Sequence, residues 1–120
     1  MSVNYKIGEQ DTRPWGTWQT IDVGENYVVK RITVNPNGKL SLQKHQFRSE
    51  HWIISEGTAL VTLDSLTRPY KANSHIYIQK GQVHRIENKE KTPLIFIEIQ
   101  TGEILDENDI QRLEDIYNRI

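Results

Sequence analysis

The sequence predicts a single all-β domain, a sandwich or barrel of short strands with one C-terminal helix, and three observations carry that prediction. The apolar segments are four to eight residues long and rich in Val, Ile, Thr and aromatics, the composition of pleated, half-buried strands. Turn signals separate them at near-regular spacing. Several segments alternate apolar with polar residues, a period of two rather than 3.6.

Residues 1–12 read as an N-terminal arm and residues 13–120 as one domain. "TWQTID" opens the strand series. In "YVVKRITV", Val28, Lys30, Ile32 and Val34 share one face, while Val29, Arg31 and Thr33 share the other. "PNGK" at 36–39 is a turn, "HWIISEG" is a strand, and "SEGT" at 55–58 turns the chain into "TALVTLD". "HIYIQ", the turn "QKGQ" at 79–82, "HRIEN", the turn "NKEKTP" at 88–93 and "PLIFIEIQ" complete the series. In "LDENDIQRLEDIYNRI" the period changes: Ile110, Leu113, Ile116 and Tyr117 recur at helical spacing, with Asp106 or Asn108 available as N-cap. This predicts a helix near 107–117 that lays its apolar stripe on the barrel. Strands with apolar residues on both faces, such as "ALVTL", predict that something covers the outer sheet, and a homodimer is the expected cover.

Composition narrows the partners. Fifteen Lys plus Arg stand against sixteen Asp plus Glu, so no basic surplus argues for nucleic acid or an anionic membrane. The chain has no cysteine, so any metal must be held by nitrogen and oxygen. No apolar run approaches the roughly 20 residues of a membrane span. "MSVNYKIGEQ" lacks the basic and apolar regions of a signal peptide, which leads to the expectation of a soluble cytoplasmic protein.

The chemistry concentrates in "LSLQKHQFRSEHWIISEG", residues 40–57. Gln43 and His45 are two apart, so on a strand their side chains point the same way. Glu50 follows after four intervening residues, room for a bend that returns a carboxylate to the same place. His84 follows the glycine turn of "GQVHRIEN" at the start of another strand. Imidazole and carboxylate suit Zn²⁺ and other first-row divalent ions, and an amide oxygen can complete a site that stays open to substrate. Any one of these residues alone is commonly a hydrogen-bonded structural residue; the combination points to one ion, Zn²⁺ first and Mn²⁺, Co²⁺ or Ni²⁺ next.

These residues resemble the two motifs of the cupin superfamily. Gln43-x-His45 stands at the first motif's His-x-His, with Glu50 and Gly57 at the expected spacing and Gly38 one residue nearer than the pattern asks. Gly81, His84 and Asn88 meet the second motif, with Asn73 and Gln79 replacing its first Gly and its Pro. The stretches 13–22, 28–45, 50–62, 77–88 and 97–119 together resemble the cupin domain of type II phosphomannose isomerases, usually the C-terminal half of bifunctional mannose-1-phosphate guanylyltransferases. That resemblance implies a double-stranded β-helix (jelly roll), a divalent metal, and interconversion of mannose 6-phosphate and fructose 6-phosphate. The chain departs from the family in two ways. No Gly-rich nucleotide loop precedes Arg13, so nucleotidyl transfer is not expected. Gln46 and Phe47 replace two of three consecutive histidines, and Phe47 would share a face with His45 if the strand continued.

Within that resemblance, a metal on Gln43, His45, Glu50 and His84 would act as Lewis acid on the sugar oxygens. Arg48 is the candidate grip for the sugar phosphate and a catalytic candidate, because guanidinium binds phosphate through paired hydrogen bonds; its plainer role is an exposed solubilising arginine, and that of Glu50 a surface acid paired with it. Arg13 and Arg112 are further candidates at the mouth. Lys30, among apolar neighbours, is an acid–base or substrate contact, or else an edge-strand lysine. His51 points opposite to Glu50, as a structural residue or an acid–base group outside the ligand set. Trp52 reads as core and His75 as surface. The competing function is a non-enzymatic cupin that binds a sugar or sugar phosphate.

Overall fold

The computed structural model describes residues 2–119, and these form strands and turns with no α-helix among them. No helix is long and apolar enough to cross a membrane. Six strands form the larger sheet: β2 (Gln10–Arg13), β3 (Gly16–Val23), β4 (Tyr27–Val34), β11 (Leu94–Gly102), β6 (Arg48–Glu56) and β9 (His75–Ile78), neighbours in that order. Five form the smaller: β13 (Gln111–Glu114), β5 (Leu42–Lys44), β10 (His84–Glu87), β7 (Thr58–Leu63) and β8 (Leu66–Lys71). Within both sheets every pairing is antiparallel. A short parallel pair joins β1 (Ser2–Val3) to β12 (Ile104–Leu105). Residues 2–12 are thereby woven into the domain, and Tyr5 belongs to its core.

Alternation places the interior. On β4, Val28, Lys30, Ile32 and Val34 are all buried, as the pattern predicts, while Val29, Arg31 and Thr33 face outward. Register extends this into rows across the larger sheet: Ile32–Phe96–Ile54, then Lys30–Glu98–Trp52, then Val28–Gln100–Glu50. One end of the interior is therefore apolar, closed by Ala59, Val61 and Ile86 of the smaller sheet. The other end is polar. Gly57, alone between β6 and β7, has φ +87° and lies against the backbone of Pro93, so the hairpin needs a residue without Cβ.

The expected helix at 107–117 does not form. Gln111–Glu114 is extended and pairs with β5, setting Arg112 opposite Gln43. The segment's acidic side chains bond backbone amides instead of leaving them to a helix: Asp106 accepts from Asn108 N–H at 2.9 Å, and Asp115 from Arg119 N–H at 2.8 Å. A helix of about ten residues is marginal without tertiary support, whereas the free edge of β5 offers a ladder. Arg85 clamps the strand, donating to Glu114 Oε1 at 2.9 Å and to Leu40 O at 2.9 Å. The supposed apolar stripe is not buried as one: Leu113 is 43% and Ile116 54% exposed.

Candidate metal centre

Glu50 sits at the centre of the polar end and is 1% exposed. Its Oε2 accepts from Arg48 Nε at 2.8 Å and its Oε1 from Trp52 Nε1 at 2.9 Å. His45 Nε2 lies 3.1 Å from Oε2, and His84 Nε2 4.0 Å from Oε1. One donor atom each from His45, Glu50 and His84 falls within 4.8 Å of the others. Gln43 is buried directly across from His84 in register and lines the same cavity.

Backbone carbonyls set both imidazoles. His45 Nδ1 is 2.6 Å from Asp109 O and His84 Nδ1 is 2.9 Å from Gln82 O. A carbonyl only accepts, so Nδ1 carries a hydrogen in each ring and Nε2 is the atom turned towards the cluster. His84 Nε2 is buried with no hydrogen-bond partner among the described residues. Burial also pushes His84 below its ordinary pKa, which keeps the ring neutral, the ligating form. Burial alone would raise Glu50, but the Arg48 guanidinium beside it holds the carboxylate well below its usual range. Two imidazole Nε2 atoms and a carboxylate thus face one point, with Arg48 and Trp52 holding the carboxylate from one side and the Nε2 of His84 left without a partner. That donor set fits a divalent ion, and the carbonyl-oriented rings are the arrangement that metal-ligating histidines use.

A cavity of about 90 Å³ adjoins the cluster. Lys30, Arg13, Arg48 and Arg112 all line it, as the sequence reading anticipates. Their engagement differs from expectation. Arg48 is 7% exposed and paired with Glu50 inside the domain rather than at its surface. Lys30 donates to Glu107 Oε2 at 3.0 Å and lies 4.1 and 4.0 Å from the ring centroids of Tyr5 and Trp18. His51 is removed from the acid–base set: strand parity turns it to the outer face, where its Nδ1 lies 3.1 Å from His75 Nε2. Phe47 is likewise outside the site, because β5 ends at Lys44 and a turn follows; its N–H and that of Gln46 donate to the Asp109 carboxylate at 2.9 and 2.8 Å.

Three participants escaped the sequence reading. Glu98 is buried between Trp52 Nε1, at 3.1 Å, and Gln100 Nε2, at 2.9 Å. Burial and then the charge of Glu50 push its carboxyl up to about 8, so it holds a proton at neutral pH. Its signal was present: Leu94, Phe96, Glu98 and Gln100 alternate onto one face of "PLIFIEIQ". Glu107 accepts from Tyr5 Oη at 2.5 Å as well as from Lys30; burial opposes its charge, but Lys30 holds it down at about 2. Arg119, paired with Asp115, also lines the cavity.

The family described as "Mannose-6-phosphate isomerase C-terminal" matches residues 3–115 of this chain. The chain belongs to that family. AlgA, the alginate biosynthesis protein of Pseudomonas aeruginosa, is 50% identical over 107 residues, covering 89% of this chain and 22% of its own length. The mannose-1-phosphate guanylyltransferase of Escherichia coli is 43% identical over 116 residues, covering 97% of this chain and 24% of its own. The chain thus spans about a quarter or less of these relatives. Among solved structures, a conserved Klebsiella pneumoniae protein with a double-stranded β-helix domain superposes with TM-score 0.71 at 18% identity, over 94% of this chain and 91% of that one. The cupin jelly roll is thereby the fold of this family member, without the terminal helix.

Proposed function

We propose that this chain is a metal-dependent sugar-phosphate isomerase interconverting mannose 6-phosphate and fructose 6-phosphate. The observation that carries the reading is the convergence of His45, Glu50 and His84, with both Nε2 atoms turned to the cluster, inside a chain of this family. Those three residues with Gln43 would hold the ion, Zn²⁺ first and Mn²⁺, Co²⁺ or Ni²⁺ next. When bound, it supplies Lewis-acid polarisation of the sugar's carbonyl and hydroxyl oxygens. The remaining work is the chain's own. Arg48 and Trp52 orient Glu50. Glu107, ionised and lining the cavity, takes the C2 proton at Oε1, where only the longer 3.4 Å contact from Arg13 competes, and returns it to C1; Lys30 and Tyr5 engage Oε2. Lys30 keeps that carboxylate ionised and excludes water with Trp18.

The test is proton exchange at C2 of mannose 6-phosphate in heavy water, on protein of measured metal content, beside a coupled turnover assay. Metal-dependent exchange is the expected result. Background exchange across several sugar phosphates with metal fully loaded overturns the isomerase. The second reading is binding of a sugar or sugar phosphate without turnover; saturable binding with background exchange is its signature. A homodimer is part of the same proposal: Ile53 and Tyr77 stand exposed on the outer face of the larger sheet beside half-buried Ile97 and Ile99, an apolar strip suited to a second copy. Sedimentation at micromolar concentration reads it directly.

A further inference from the structure

Every cation lining the cavity has an anion except one. Lys30 holds Glu107 at 3.0 Å, Arg48 holds Glu50 at 2.8 Å, and Arg119 holds Asp115 at 2.7 and 3.0 Å. Arg13 lies 3.3 Å from Asp11 and 3.4 Å from Glu107. Arg112 makes no ion pair among the described residues, and its Nε is buried without a hydrogen-bond partner. An unsatisfied, partly desolvated guanidinium is costly unless something arrives to meet it.

Its position narrows what that is. Arg112, Gln43 and His84 form one row across β13, β5 and β10. Two interstrand steps separate the outer members, roughly 10 Å between their Cα atoms. A ligand reaching from the histidine cluster to Arg112 therefore has a polar head and an anionic tail a few bonds apart, as an open-chain sugar phosphate does. Resting on the sugar-phosphate reading above, we infer that Arg112, backed by Arg119 and Arg13, is the phosphate subsite of the cavity, and that Arg48 is not.

The electrostatics agree. Burial, then the like charges of Arg119 and Arg13, lower the Arg112 pKa, while Asp115 and Glu107 raise it. Arg119 is already matched by Asp115, and Arg13 lies beside Asp11 and Glu107, so Arg112 is the guanidinium that an entering dianion meets without a carboxylate of its own. Guanidinium to phosphate is a paired, charge-assisted contact. Placing the subsite on β13 also explains why the last strand pairs beside Gln43: the ladder carries the cation to the mouth.

The experiment titrates the metal-loaded full chain with inorganic phosphate, mannose 6-phosphate and mannose, for the natural sequence, Arg112→Gln and Arg112→Lys. Expected are unchanged metal content and a loss of phosphate and mannose 6-phosphate affinity of roughly tenfold to a hundredfold in Arg112→Gln. Arg112→Lys recovers part of it, and mannose binding does not move. The Arg112 Nε–H resonance of the natural sequence shifts on adding phosphate, a readout that stands even where a variant fails to fold. Wild-type phosphate affinity in both variants, or an unmoved Nε–H resonance at saturating phosphate, overturns the assignment. The two readings fail separately. Turnover that ignores Arg112 sinks the subsite and keeps the isomerase; Arg112-dependent binding with background C2 exchange keeps the subsite and sinks the isomerase.

Discussion

The rows Ile32–Phe96–Ile54 and Val28–Gln100–Glu50 lie on the same three strands of one inner face, four residues apart along β11. In the first, every side chain is an apolar group at 5% exposure or less, and burial itself is the stabilising force. In the second and the row between, Lys30, Glu98, Gln100 and Glu50 are equally buried, and each must be matched by a hydrogen bond or a charge. Those matches at best offset desolvation. One end of the barrel holds the fold together and the other places chemistry at some cost to stability.

Breaking the apolar end has the largest expected effect. Phe96→Ala removes a fully buried ring in contact with Trp52 and is expected to lower unfolding free energy by about 3–5 kcal/mol, read by urea denaturation of the metal-free protein. At the polar end, His84→Leu should abolish metal retention, measured by elemental analysis. It should leave metal-free stability within about 1 kcal/mol, because the lost Nδ1 bond to Gln82 is offset by removal of an unpartnered Nε2. A loss comparable to Phe96→Ala would erase the contrast between the two ends.

A smaller effect is expected from acid. Glu107 is held at about 2, below its ordinary 4.5. The folded chain therefore binds fewer protons than the unfolded one in that window, so the Glu107 contribution is complete above about 4.5 and is lost as pH falls towards 2. The side chain is 37% exposed, so solvent screens part of the effect. Urea midpoints taken from pH 5 to 3 should decline less steeply in Glu107→Gln; parallel declines would show that the ion pair contributes nothing. The smallest effect belongs to Ile116→Ser, expected to change stability by less than about 0.5 kcal/mol because the side chain is exposed. A loss of 2 kcal/mol or more would restore the buried helical stripe.

Why some of this was legible is a matter of range. Alternation places Val28, Lys30, Ile32 and Val34 on one face because a strand's period is a local property. The spacing of His45 and Glu50, with His84 after its turn, likewise marks donor atoms that converge, and Gln43 lies across from His84 in register. The terminal segment could not be read this way. Ile110, Leu113, Ile116 and Tyr117 fit a helical period, and only the open edge of β5 and the clamp from Arg85 decide for a strand. The partner of Arg48 lay beyond a local reading for the same reason. Two residues before Glu50 it shares that residue's face, but whether it meets an internal carboxylate or an incoming phosphate depends on what the other strands bring.

The bonds that prepare the metal centre also have a place in time. The contact fixing the His45 ring spans 64 residues, and the one joining Asn4 to Asp106 spans 102. Loops of that length close late and slowly, since their entropy must be met before the contact returns anything. The donor cluster is expected to be still open when the folding barrier is crossed. Ion binding to it is expected to slow unfolding while leaving the folding rate unchanged, making the site a kinetic lock set only after the barrel has closed.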